Sequence, residues 1–150
     1  MNLPLASSSL RTVLIVSSDR ANLQLITQLI ATRDDLKLLT ANNGTDGLEW
    51  AVACQPEVVV IDTGLSDMSA REALARLREN PATSHIPVIA VSSDAHKTQI
   101  DAGLQSGFYR YLTKPFKLTD LLDAIDNSFG YTMERFERLA SRPDSCGMNV

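Results

Sequence analysis

Five short apolar runs, each followed by a stretch with helical periodicity, constrain this chain more than any other feature of its sequence. The runs cover residues 12–16, 36–40, 58–62, 86–91 and 108–112. Between them, apolar residues recur three and four places apart: Leu23, Ile26, Leu29 and Ile30, then Leu48, Ala51 and Val52, then Ala73, Leu74 and Leu77. A fourth helix is expected from about residue 95 to Ser106, and a fifth from Leu118. Runs such as Val58-Val59-Val60-Ile61 do not alternate with polar residues, which is the pattern of strands buried on both faces. Strands and helices that alternate on short right-handed connections build a parallel sheet covered on both sides. The punctuation agrees. Asp19 is placed to cap the first helix, Asn42-Asn43-Gly44 precedes the second, Asn80-Pro81 halts the third, and Pro87 stands at the start of a strand, where its missing N–H is tolerated.

Composition narrows the class. A chain of 150 residues, 44% hydrophobic and 21% charged, suits one globular domain with a full core. A net charge of −4 without a sustained basic run gives no electrostatic footprint for nucleic acid. Arg71, Arg76 and Arg78 read as a solvated helix face. Cys54, in a helix, and Cys146, in the tail, form neither a disulfide framework nor a metal pattern, so a reducing cytosol is the simplest setting. Residues 1–10 carry no charged leader with a long apolar stretch, and no segment approaches the ~20 apolar residues of a spanning helix. A soluble, cytoplasmic protein with no membrane partner is expected.

In a sheet of this kind ligands bind outside the carboxyl ends of the strands. Asp62 leaves the third strand there. Taken alone, it could equally be a strand-ending residue that caps a turn. The loops after strands one, three, four and five, however, bring Ser17 and Ser18, Asp62, Ser92, and Lys114 to that same end. A carboxylate alone is a weak nucleophile, so what it can do depends on the groups placed beside it. Lys114 offers a point charge and Ser92 a hydroxyl donor.

With these residues in place, the chain from about 11 to 130 resembles the receiver domain of two-component response regulators. The likeness rests on the apolar strand ending in Asp62, the Ile-Pro-Val-Ile-Ala-Val-Ser stretch ending in Ser92, and Tyr111-Leu-Thr-Lys114-Pro115-Phe116. It implies a bacterial signalling protein, not an enzyme, with a flavodoxin-like fold: a doubly wound five-stranded parallel sheet with five flanking helices, (βα)5. It further implies that Asp62 accepts a phosphoryl group from a histidine kinase or phosphotransfer protein. Mg²⁺ would bridge acceptor and phosphate, with the Gly64 carbonyl as a main-chain ligand and a cis Lys114-Pro115 peptide aiming the lysine inward. Tyr111 matches the family's switch aromatic, coupled to Ser92. With Phe108 and Tyr109 beside it, an aromatic surface on the fourth helix, fifth strand and fifth helix is expected to face a partner or a second copy.

The sequence departs from the family where receivers carry two adjacent acids that hold Mg²⁺. Ser17 and Ser18 stand there, and Asp19 is one place too far on, pointing away from the metal or toward the helix cap. Mg²⁺ is therefore expected to bind weakly or not at all. Ser66 and Ala70 replace the family's usual proline and glycine. Two readings follow: a phosphoacceptor with altered metal dependence, or a pseudo-receiver that binds a partner without phosphoryl transfer, Asp62 and Lys114 forming a standing ion pair. A third, more distant reading is a small flavodoxin-like flavin binder using Ser17-Ser18 to cradle phosphate.

Beyond the receiver-like region, Leu118, Leu122, Ile125, Phe129, Phe136 and Leu139 keep close to a heptad spacing. The last helix either overruns its domain or is broken at Gly130, which weakens a helix by about 1 kcal/mol relative to alanine. Residues 131–150 form an extension that folds back or dimerises, with disorder expected from 141 onward; Ser7-Ser8-Ser9 reads as a flexible lead-in. The chain resembles either a stand-alone receiver or one excised from a larger protein such as a hybrid kinase.

Overall fold

A computed structural model of the protein describes residues 10–94 and 96–139. Strands and helices alternate as β1 (Arg11–Val16), α1 (Arg20–Ile30), β2 (Leu36–Ala41), α2 (Gly44–Cys54), β3 (Val58–Asp62), α3 (Ala70–Glu79), β4 (Val88–Ser92), α4 (Lys97–Ser106), β5 (Arg110–Thr113) and α5 (Leu118–Leu139). All neighbouring strands are parallel, in the order β2-β1-β3-β4-β5. The parallel sheet covered on both sides that the alternation predicts, and the flavodoxin-like (βα)5 fold that the resemblance implies, are observed.

Strand order explains composition. Every residue of β3 and of β4 is buried, because each strand has a neighbour on both edges and helices on both faces. Side chains of successive strand residues go to opposite faces. Leu14, Val16, Val59, Ile61, Val88 and Ala90 meet Ala51 of α2 and Ala73, Leu74 and Leu77 of α3. On the other face Val13, Ile15, Val58, Val60, Ile89 and Val91 meet Ile26 and Ile30 of α1 and Leu121 and Ile125 of α5. Each fully buried Leu or Ile contributes about 1.5–3 kcal/mol by leaving water. Helix α2 lies so close to β1 that a Cβ on Gly47 would stand 2.7 Å from Val16 Cγ2. Asp19 caps α1 by accepting the Ala21 and Asn22 N–H groups, as its position in the sequence implied.

Several local expectations need correction. Val52 is 43% exposed, because α2 centres its buried stripe on Gly44, Gly47 and Ala51 instead. Strand β4 begins at Val88, and β5 begins at Arg110, two residues later than the apolar run suggested. The reason at β5 is Gly107, whose left-handed φ of 117° closes α4 and drops Phe108 into the core. At 4% exposure Phe108 cannot belong to an aromatic surface. Arg78 is not a solvated arginine either; its guanidinium donates to the carbonyls of Ile86 (2.6 Å) and Ser84 (3.3 Å). Helix α5 runs without interruption through Gly130. Its buried stripe also takes in Leu121, Ala124 and Ser128, which the heptad reading passed over. The side chains of Phe136 and Leu139, the tail from 141 with Cys146, and Ser7-Ser8-Ser9 lie outside those described. Among the described residues no helix is long and apolar enough to cross a membrane.

Candidate functional site

The chain order reverses between β1 and β3, and the crevice this leaves at the carboxyl ends of the strands holds Asp62. In register Val16 stands beside Ile61, Asp62 beside Val91, and Ser92 beside Thr113, so the loops leave at one level. Asp62 is 7% exposed and, among the described residues, is the only buried carboxylate.

Both of its oxygens are engaged. Oδ2 accepts from Lys114 Nζ at 2.9 Å, from the Ser17 hydroxyl at 3.2 Å and from Asn22 Nδ2 at 3.4 Å. Oδ1 accepts the Gly64 N–H at 2.9 Å. A buried carboxylate is costly unless paired and hydrogen-bonded, and here it is both. Lys114 arrives from the end of β5, where its own N–H donates to Ser92 C=O (2.7 Å) and the Lys114-Pro115 peptide is cis.

The remaining sequence-chosen residues gather at the same end with distinct partners. Ser92 is 3% exposed, and its hydroxyl oxygen accepts the Asp94 N–H at 3.0 Å rather than touching Asp62. Ser17 also accepts the Asp19 N–H at 3.1 Å. Ser18 is turned to the neighbouring loops: it donates to Asn42 C=O (3.0 Å), lies 3.2 Å from Ser66 Oγ and accepts the Ser66 N–H. Tyr111 is half-buried with its ring edge-on to Phe108, 6.1 Å between centroids, and against α4 at Gly103, where a Cβ would stand 2.5 Å from the ring. An open groove of about 210 Å³ passes this ring, lined by Thr63, Ser69, Arg71, Gln99 and Phe108.

Sequence reasoning missed Asn22 and Asp67. Asn22 sits in the first turn of α1 with no motif to flag it; only the packing of α1 beside β3 aims its amide at Asp62. Asp67 accepts the N–H groups of Gly44 (2.8 Å) and Thr45 (2.9 Å) and the Thr45 hydroxyl (2.8 Å), tying the loop after Asp62 to the amino end of α2. These bonds hold its carboxyl down at about 2.

Mg²⁺ asks for near-octahedral hard oxygens, usually including more than one carboxylate or phosphate. Here Asp19 is spent capping α1, Ser18 bridges loops, and Oδ2 of Asp62 already carries a lysine. Among the described residues no group of three or more Asp, Glu, His or Cys could hold a metal. The donor set does not fit a tightly held Mg²⁺.

A parallel sheet in this strand order, with a buried aspartate ending its third strand and a lysine before a cis-proline ending its fifth, defines a receiver. The chain belongs to the response regulator receiver domain family, whose pattern its residues 13–126 match. It is 28% identical over 120 residues to the polar-differentiation response regulator DivK of Brucella anthropi, covering 80% of this chain and 97% of that one. It is 30% identical to the nitrate/nitrite response regulator protein NarL of Escherichia coli K12, over 76% of this chain and 52% of NarL. A match to histidine kinase P4 of Formosa agariphila, also at 30%, covers 77% of this chain and 8% of the kinase. Among solved structures, a response regulator receiver domain protein from Clostridium thermocellum is similar, with a TM-score of 0.73 and 26% identity over 81% of this chain and 95% of that one. The CheY-like receiver from Methanospirillum hungatei, at 24% identity and a TM-score of 0.75 over 85% and 99% of the two chains, shares the fold. The protein is thus a two-component receiver, a signalling module.

Proposed function

We propose that Asp62 receives a phosphoryl group from the phosphohistidine of a histidine kinase or phosphotransfer protein, and that the α4-β5-α5 face reports the event to a partner. The observation that carries this is the buried carboxylate at the end of β3 with the Lys114 ammonium 2.9 Å away. Oδ1, which accepts a single hydrogen bond among the described residues, is the attacking atom. As the Oδ1–P bond forms, the donor's P–N bond breaks and the imidazole leaves with the electron pair. Lys114 meets the charge on one equatorial oxygen as it develops. Ser92, whose oxygen serves Asp94 as acceptor, keeps its hydroxyl proton for a second. Drawing Ser92 toward the phosphate changes the wall beside Tyr111, whose ring then turns inward.

The flavin-binding alternative loses its support, because Ser17 and Ser18, the hydroxyls it needs, are both engaged within the protein. Pairing of two copies through the α4-β5-α5 face or α5 belongs to the same proposal; light scattering over a dilution series reads it. The decisive experiment is intact mass after incubation with acetyl phosphate, in Mg²⁺ and in EDTA. Wild type is expected to gain one phosphoryl group and Asp62→Asn none, while Lys114→Ala slows the gain by roughly 10²-fold or more. No gain by wild type in either buffer would leave a pseudo-receiver, in which the Asp62–Lys114 ion pair is a fixed part of an interaction module.

A further inference from the structure

The Asp62 carboxylate is met by one ammonium and three neutral hydrogen-bond donors. Lys114 and Asp62 already sum to zero charge, and the other groups bonded to the carboxylate, Ser17, Asn22 and the Gly64 N–H, are neutral donors rather than ligands. Oδ2 accepts three of these four bonds, so a metal there must displace them or share an oxygen with an ammonium. Like charges so close, in a site where Asp62 is 7% exposed, repel far more than they do in water. Nor is a second anion within the donor set to offset the added charge: Asp19 serves α1 and Asp67 serves α2.

We propose that Ser17 and Asn22 stand in for a divalent cation, holding the Asp62 carboxylate by hydrogen bonds to Oδ2 beside Lys114, so that the site takes up its phosphoryl group with no bound metal. This deepens the proposed function and rests on it. Preorganised donors do part of what a metal does for such a reaction: they hold the carboxylate in place and fix the oxygen that is not attacking, with no rearrangement at the moment of reaction. Ser17 and Asn22 are positioning residues here. They act on Oδ2, while Oδ1 carries out the displacement. With acetyl phosphate as donor the step balances without a proton: the Oδ1–P bond forms, the acetyl O–P bond breaks, and acetate leaves with the electron pair.

Two readouts test this separately. The first is calorimetric titration of Mg²⁺ into the full chain, which does not depend on phosphorylation. Wild type is expected to bind too weakly to measure at millimolar concentrations, and the double variant Ser17→Asp/Ser18→Asp to gain affinity by roughly 10- to 100-fold. Thermal denaturation confirms that the variant folds, and Asn22→Asp, which adds one carboxylate facing Oδ2, serves if it does not. The second is the acetyl phosphate reaction followed by intact mass. Wild type should phosphorylate in EDTA at within about twofold of its rate in Mg²⁺, and the double variant should drop by at least about tenfold on adding EDTA. Ser17→Ala and Asn22→Ala should each slow wild-type phosphorylation to the same degree in both buffers. Micromolar Mg²⁺ binding by wild type, or a wild-type reaction that stops in EDTA, overturns the inference. Absence of phosphorylation in every arm overturns the phosphoacceptor reading instead, and calorimetry still decides whether the site takes a metal.

Discussion

Single carboxylates do opposite things in this protein according to what surrounds them. Asp62 is buried against an ammonium at the carboxyl end of its strand; Asp67 is exposed to solvent and ties down the loop, its carboxyl lowered from an ordinary 3.8 to about 2 by the Gly44 and Thr45 N–H groups. Because that value is depressed in the folded protein, the unfolded chain binds the proton first as pH falls. The stabilising contribution is therefore full above the ordinary carboxylate value and is lost as pH falls through about 2. Asp67→Asn should flatten the dependence of urea-unfolding stability on pH between these values; an unchanged slope would show that the clamp is idle. Thr83 gives a neutral counterpart. Its fully buried hydroxyl donates to Leu77 C=O at 2.7 Å. Thr83→Val should cost about 1–3 kcal/mol in chemical denaturation, since the carbonyl is left buried with that bond unmade.

Among the elements, α4 and β5 carry the most specific fit. The Tyr111 ring lies where a side chain at position 103 would be, and glycine is what leaves room. Gly103→Ala should push the ring outward or shift α4, costing about 1–3 kcal/mol by overpacking. The aromatic proton shifts of Tyr111 would report which of the two moves. Helix α3 shows the ordinary case. Its Ser69 cap accepts the Glu72 N–H at 3.0 Å, so Ser69→Ala should cost about 1 kcal/mol, read by thermal denaturation. The groove between α3 and α4 is lined by the Ser69 cap and Arg71 of the one, Gln99 of the other and Tyr111 of β5, so a change in ring position alters the shape of this surface.

For the molecule as a whole, one sheet divides two cores, and each strand contributes to both. Leu74 fills one side and Ile125 the other, both almost fully buried. Leu74→Ala and Ile125→Ala should each destabilise by about 2–5 kcal/mol. Separated by the sheet and sharing no partner cluster, they should add to within about 0.5 kcal/mol in the double variant. Strong non-additivity in urea unfolding would mean that the sheet itself gives way when one face is hollowed. At its far edge the same scaffold is stitched by Arg33, which links the end of α1 to Asp35 and to Asp126 of α5.

The sequence by itself determined the strand–helix alternation, the identity of Asp62, Ser92 and Lys114, and the loss of the acidic pair at Ser17 and Ser18. The alternation and the strand-end residues are readable because unbroken apolar runs, period-3.6 burial and residues leaving strands at one end follow from local geometry; the missing acids are readable only against the receiver family that the sequence resembles. It did not reveal that Asn22 reaches Asp62, that Asp67 clamps α2, that Phe108 is core rather than surface, or that Ser18 ties three loops together. Those depend on distances between segments far apart in the chain, fixed only when the helices dock on the sheet. The donor set around Asp62 belongs to that second kind, since Ser17, Gly64 and Lys114 come from three different loops and Asn22 from the first turn of α1. Tertiary packing, which sets where their donors point, decided that Ser17, Asn22, the Gly64 N–H and Lys114 are the groups that hold the carboxylate.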